Sequence, residues 1–195
     1  AEVARAMKVA RLVHDSDAAL ASTFDFYTEG KHYEKLLLEH GPIDVPGYQE
    51  MADLARRVKE YADADGAPVC LTHNDFFYLN FLLDENDHLY LIDWEYSGMA
   101  DYASDFGTYV VCCECDEKEA LRALEHYFDR KPTFEEVPHN FAYVALAGWC
   151  WYVWSLVKEA EGDFVGEWLY IYYNYAKKYL SKVIRWYDES FYTEG

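Results

Sequence analysis

Two short stretches hold the residues best suited to chemistry: His73-Asn74-Asp75-Phe76-Phe77-Tyr78-Leu79-Asn80 and Leu91-Ile92-Asp93-Trp94-Glu95-Tyr96. Carboxylates at positions 75 and 93, with an amide oxygen at position 80, make a hard, oxygen-only donor set. Such a set suits Mg²⁺, which takes one or two carboxylates, keeps several waters and shares itself with substrate phosphates. A carboxylate free of metal can orient and deprotonate an attacking hydroxyl. Phosphoryl transfer asks for these parts and for little covalent work from the protein. Single Asp and Asn residues are common in turns. Here they come in order, each set against an apolar strand, and that arrangement points to function.

For these groups to meet, the chain between them has to fold back. Phe81-Leu82-Leu83-Asp84 and Leu89-Tyr90-Leu91-Ile92-Asp93 read as strands, and the polar Glu85-Asn86-Asp87-His88 between them has hairpin length. Asn80 then starts one strand, Asp93 ends its neighbour, and Asp75 lies on the loop just before. Val69-Cys70-Leu71-Thr72 is a further β-prone run. Apolar residues at helical spacing predict a helix over 2–14, a short one around Tyr33, Leu36 and Leu37 closed by Gly41-Pro42, and a third from Pro46-Gly47 to Asp63-Ala64-Asp65-Gly66. After about residue 101 the pattern is helical again, with candidates at 117–128, 134–160 and 164–187. The expected fold is α+β and mostly α-helical: one domain over 1–195 with a small central β-hairpin.

The charge balance is 17 Lys and Arg against 36 Asp and Glu, a net of -19. That surface repels nucleic acid and favours a cationic ligand, or a metal set between acids and a polyphosphate. No apolar run reaches the roughly 18 residues of a membrane span, and no signal-peptide pattern is present. Five cysteines without framework spacing fit a reducing cytoplasm. Cys112, Cys113 and Cys115 lie close together, but no CxxC pair or spaced His completes a zinc site, so they read as buried thiols.

The HxDxxxxN segment followed by Ile92-Asp93-Trp94-Glu95 resembles the kinase-like phosphotransferases, which include choline/ethanolamine kinases and aminoglycoside phosphotransferases. The resemblance implies a protein-kinase-like C-terminal lobe. It makes Asp75 the catalytic base, Asn80 and Asp93 the Mg²⁺ ligands facing ATP, and His73 a brace for the catalytic loop. Asp105, in Asp101-Tyr102-Ala103-Ser104-Asp105-Phe106-Gly107, is similar to the family's downstream Asp that supports that loop. The helix end Arg11-Leu12-Val13-His14 looks like the family's first C-lobe helix.

Gly148-Trp149-Cys150-Trp151-Tyr152-Val153-Trp154-Ser155-Leu156 bears on the acceptor. Trp151 and Trp154 share a helix face, and two indoles can close around a quaternary ammonium. Their W-x-x-W-S segment resembles the choline kinase subfamily, where these tryptophans line the choline pocket. Tyr96 matches an aromatic of the same pocket. Tyr170 and Tyr173 are further candidates, and Glu95 adds negative charge near the acceptor. The implied acceptor is a small cationic alcohol. An aminoglycoside or other hydroxyl phosphotransferase is the enzymatic alternative, and a non-catalytic lobe that senses a cationic ligand is the other.

A kinase of this type also needs an upper lobe, with a phosphate-covering loop and a Lys for the phosphates. The 195 residues hold no Gly-rich loop and no strand Lys in such a context. The chain opens at Ala1 directly in helical pattern. The expectation is a C-lobe whose N-terminal ATP-binding lobe is absent from this chain, leaving it inactive alone.

Overall fold

The computed structural model describes residues 2–193. Its order is α1 (Glu2–His14), α2 (Phe26–Glu39), α3 (Tyr48–Ala64), β1 (Val69–Thr72), β2 (Phe81–Leu83), β3 (Leu89–Leu91), β4 (Gly98–Asp101), α4 (Ala103–Cys112), α5 (Glu117–Phe128), α6 (Glu136–Glu161) and α7 (Gly166–Thr193).

The axle of the domain is α6. It is apolar around its whole circumference, with every residue from Pro138 to Val153 buried. A helix of that kind has to be surrounded on all sides, and α2, α3, α4 and α7 do so. Two glycines let the backbones approach. A Cβ on Gly107 of α4 would lie 2.5 Å from the Tyr143 carbonyl oxygen, and one on Gly148 would lie 2.9 Å from the Ala176 nitrogen. The first of these contacts seats α4, and with it Asp105, against the core.

A buried polar clamp pins α6 near its start. His139 reaches Asp65 at 2.7 Å and Asp101 at 3.1 Å, and the Tyr187 hydroxyl donates to Asp65 at 2.5 Å. Burial by itself would depress the imidazole, but the hydrogen bonds and charges of Asp101 and Asp65 push it up to about 9. His139 is therefore an imidazolium at neutral pH, tying the end of α3 and β4 to α6.

The hairpin is present as expected: β2 and β3 pair antiparallel, with Phe81 opposite Leu91 and Leu82 opposite Tyr90. The β structure is larger than expected, because β1 pairs antiparallel with β4 in a second two-stranded sheet. Gly98-Met99-Ala100-Asp101 has little strand propensity, so its pairing comes from tertiary context. α2 begins earlier than its apolar spacing shows, at an N-cap where the Asp25 side chain accepts from Thr28 N. α4 has no exposed face at all, since all ten of its residues are buried. Among the described residues, no helix is long and apolar enough to cross a membrane.

Candidate active site

Asp105 organises the loop after β1. It is fully buried in α4, and its carboxylate accepts from the backbone nitrogens of His73 (3.0 and 3.1 Å) and Asn74 (2.6 Å) and from His14 Nε2 (2.9 Å). A buried carboxylate is tolerable only with such donors around it. The His14 ring is held in turn by the Tyr127 hydroxyl, 2.8 Å from Nδ1. Asn74 adopts a left-handed φ of 66°, a conformation that Asn tolerates better than most residues. Its side-chain oxygen accepts from Thr72 Oγ1 (2.9 Å) and Ser104 Oγ (2.7 Å), its Nδ2 donates to the Tyr96 carbonyl (2.9 Å), and its own carbonyl accepts from Thr108 Oγ1 (2.9 Å).

His73 is buried, and its Nε2 donates to the Ile92 carbonyl at 2.8 Å. Its ring meets the Trp94 ring edge-on at 4.9 Å, and its Nδ1 has no partner among the described residues. Both contacts link the loop to the exit of β3.

Asp75 is half-buried on this loop. A 3₁₀ turn over 78–80 brings Asn80 back beneath it, and the Asn80 amide nitrogen donates to both the carbonyl and the carboxylate of Asp75, each at 2.8 Å. The ladder continues one step beyond the strands, with Ile92 N donating to the Asn80 carbonyl at 2.9 Å. Asp93 follows immediately, exposed and at a left-handed φ of 62°. The structure thus brings Asp75, Asn80 and Asp93 to the open end of the hairpin. Burial raises the Asp75 pKa. The Asn80 hydrogen bond and His73 oppose that rise, while the negative charges of Asp93 and Glu95 add to it. A carboxylate so raised is a stronger proton acceptor than a free one.

The donor set fits a divalent cation shared with phosphates. Among the described residues, no group of three or more His, Cys, Asp or Glu side chains could hold a metal alone. What the site offers is the Asp93 carboxylate plus the Asn80 amide oxygen, since the Asn80 nitrogen is committed to Asp75. That is the sparse oxygen set from which Mg²⁺ binds with substrate.

Beside this end lies an aromatic wall. The half-buried Tyr96 ring meets Trp151 at 5.4 Å and Phe24 at 6.4 Å, while Trp151 meets Phe26 at 5.9 Å and Trp154 at 6.3 Å. Trp151 is only 5% exposed and its indole nitrogen has no partner among the described residues, whereas Trp154 is partly open. Glu95 is exposed next to Tyr96. Tyr170 and Tyr173 do not join the wall. Tyr170 is 67% exposed, and Tyr173 packs on Tyr152 with Lys177 above its ring. The helical register turns Tyr172 inward instead, with its hydroxyl 4.0 Å from Cys112 Sγ. Burial raises its pKa, with Cys112 and then the Asp75 charge adding to the effect. The stacked i, i+4 pair Trp168–Tyr172 was the available sign of that register. Asn74, Ser104, Thr108 and Tyr172 escaped sequence reasoning, because no motif spacing marks them.

The cysteines are free, and burial pushes the thiols of Cys113 and Cys115 up to about 11 and about 12, as expected of packing groups.

Residues 1–157 match the profile of the phosphotransferase enzyme family. Protein LicA of Haemophilus influenzae is 26% identical over 162 residues, covering 80% of this chain and 60% of the relative. The crystal structure of choline kinase LicA from Streptococcus pneumoniae superposes with a TM-score of 0.79 at 25% identity, covering 92% of this chain and 63% of that one. A crystal structure of LicA in complex with AMP gives 0.81 at 26% identity, over 93% of this chain and 62% of that one. The chain thus spans about 60% of the length of these relatives. Its mostly helical fold with small antiparallel sheets is the one expected from the sequence.

Proposed function

The chain belongs to the phosphotransferase enzyme family, and from that premise we propose that it is the C-terminal catalytic lobe of an ATP-dependent kinase acting on the hydroxyl of choline or a related amino alcohol. The observation that carries this reading is the Asn80 amide bound to Asp75 at the hairpin end where Asp93 stands, beside an aromatic wall in place of clustered acids. In the proposed reaction the acceptor hydroxyl hydrogen-bonds to Asp75, which takes its proton as the oxygen attacks the γ-phosphorus. The bond from that phosphorus to the β-phosphate oxygen breaks, and ADP leaves. Asn80 and Asp93 would hold a Mg²⁺ ion, which when bound would supply positive charge to offset that on the transferred group. Tyr96, Trp151 and Trp154 receive the ammonium end. Asp105 and His73 keep the loop in place.

The phosphate-covering loop and the phosphate-pairing Lys are proposed to come from an N-terminal lobe outside these residues. Leu82 and Tyr90, opposite each other in register and 52% and 53% exposed, supply an apolar face for the nucleotide base and that lobe. The free cysteines support a cytoplasmic place.

The test has two arms. Choline should protect the 195-residue chain against heat and kanamycin should not; the reverse result favours an aminoglycoside acceptor. In a form carrying an upper lobe, choline should be phosphorylated, and Asp75→Ala should abolish turnover while leaving choline binding. Equal turnover in the variant removes Asp75 as base, and robust turnover by the 195 residues alone removes the need for a second lobe.

A further inference from the structure

Asn74 connects the two ends of the site. It is peptide-bonded to Asp75, its Nδ2 donates to the Tyr96 carbonyl at 2.9 Å, and the Tyr96 ring meets Trp151 at 5.4 Å. Only one hydrogen bond therefore separates the residue that faces the reacting hydroxyl from the one that walls the cation. The connection is stiff. Asn74 is fully buried and its backbone sits in the left-handed region. Thr72 and Ser104 hold its side-chain oxygen, and Asp105 and Thr108 hold its backbone. Thr72 Oγ1, in β1, also lies 3.0 Å from the Gly98 carbonyl of β4, so its single hydroxyl hydrogen is shared between that carbonyl and the Asn74 oxygen. A buried network with each member paired has one geometry rather than several.

We propose that Asn74 is a positioning residue that sets the spacing between Asp75 and the aromatic wall, and thereby the number of carbons the acceptor carries between hydroxyl and ammonium. The proposal rests on the cationic-alcohol reading above and adds a determinant of acceptor length. A loop anchored only through Asp105 would hold Asp75 on α4 but leave its distance to Tyr96 free. The Asn74–Tyr96 bond removes that freedom, so an acceptor one methylene longer cannot satisfy both ends together.

The experiment measures binding of three probes to the 195-residue chain through tryptophan fluorescence: choline, its three-carbon homologue 3-hydroxypropyl-trimethylammonium, and tetramethylammonium, which has no hydroxyl. The wild-type chain should bind choline about tenfold more tightly than the homologue, the scale on which one methylene is discriminated. Asn74→Gly accepts the left-handed backbone and deletes the side chain. It should narrow that preference to about twofold while tetramethylammonium binds as before. Ser104→Ala removes one of two donors to the Asn74 oxygen and leaves the fold's other anchors in place, so it serves if the glycine variant melts. It should narrow the preference to about threefold. A merely structural role weakens all three probes together, so an unchanged choline-to-homologue ratio in a folded variant overturns the proposal. Failure of the wild-type chain to bind choline or tetramethylammonium instead sinks the acceptor reading, and this inference with it.

Discussion

The two ends of the site are built on different physics. Around Asp75 the polar supports are directional: Asp105, Asn74, Asn80 and His73 are joined by hydrogen bonds of 2.6–3.1 Å. Around Trp151 the side-chain supports are ring contacts at 5.4–6.3 Å, and its indole nitrogen has no partner among the described residues. Proton transfer tolerates small errors of distance and angle poorly, whereas attraction of an ammonium to ring faces varies gently with position. Damage at the first end should therefore abolish reaction, and damage at the second should grade affinity.

The sharpest break is Asp75→Asn in a form with an upper lobe. Turnover should fall by about 10³-fold, the scale of a lost general base. Because the pKa of Asp75 is raised in the fold, the folded chain holds its proton more tightly than the unfolded chain does. Stability therefore declines as pH rises from the ordinary carboxylate value through the raised one. The Asn variant lacks that loss, so its melting temperature at pH 8 should equal or exceed that of wild type. A large drop in melting temperature would show that the carboxylate is structural.

Asp105→Ala should act on stability instead. It strands two buried backbone N–H groups and His14, at a cost of about 3–5 kcal/mol in urea denaturation. A loss under 1 kcal/mol would mean that the loop is held by other means. His139 provides a control remote from both ends. Its pKa is raised to about 9, so its stabilisation is complete below about pH 6.5, its unfolded value, and disappears as pH rises through 9. The unfolding free energy should fall across that window by a few kcal/mol in wild type and stay flat in His139→Gln; parallel curves refute the clamp. At the aromatic end, Trp154→Ala should weaken choline binding about tenfold, within the roughly 2 kcal/mol of a cation–π contact, and leave turnover at saturation intact. Trp151→Phe is the smallest change. It trades lost packing against an unpaired indole N–H and should shift stability by less than about 1 kcal/mol.

Legibility followed the same division. Asp75, Asn80 and Asp93 were readable because a hairpin converts sequence spacing into spatial meeting. Trp151 and Trp154 were readable because helical period puts i and i+3 on one face. Tyr170 and Tyr173 lie off the aromatic wall in α7, where tyrosines crowd and a shift of one residue turns a side chain by about 100°; of Tyr170, Tyr172 and Tyr173, Tyr172 is the one that is buried. β4 was missed because Gly98-Met99-Ala100-Asp101 becomes a strand only with β1 to pair against; the helical pattern after residue 101 was legible, but with all ten residues buried α4 offered no exposed face to mark its bounds.

The amino-acid sequence alone determined the local pieces: the amphipathic helices, the hairpin and the oxygen-bearing side chains at its open end, since each depends on neighbours within a few residues. Tertiary structure decided what those pieces hold on to. Asp105 meets His73 and Asn74 across about thirty residues, and Asn74 meets Tyr96 across 22. Contacts of that range exist only once the helices around α6 have closed, because their directional bonds are worth little until water has been excluded around them.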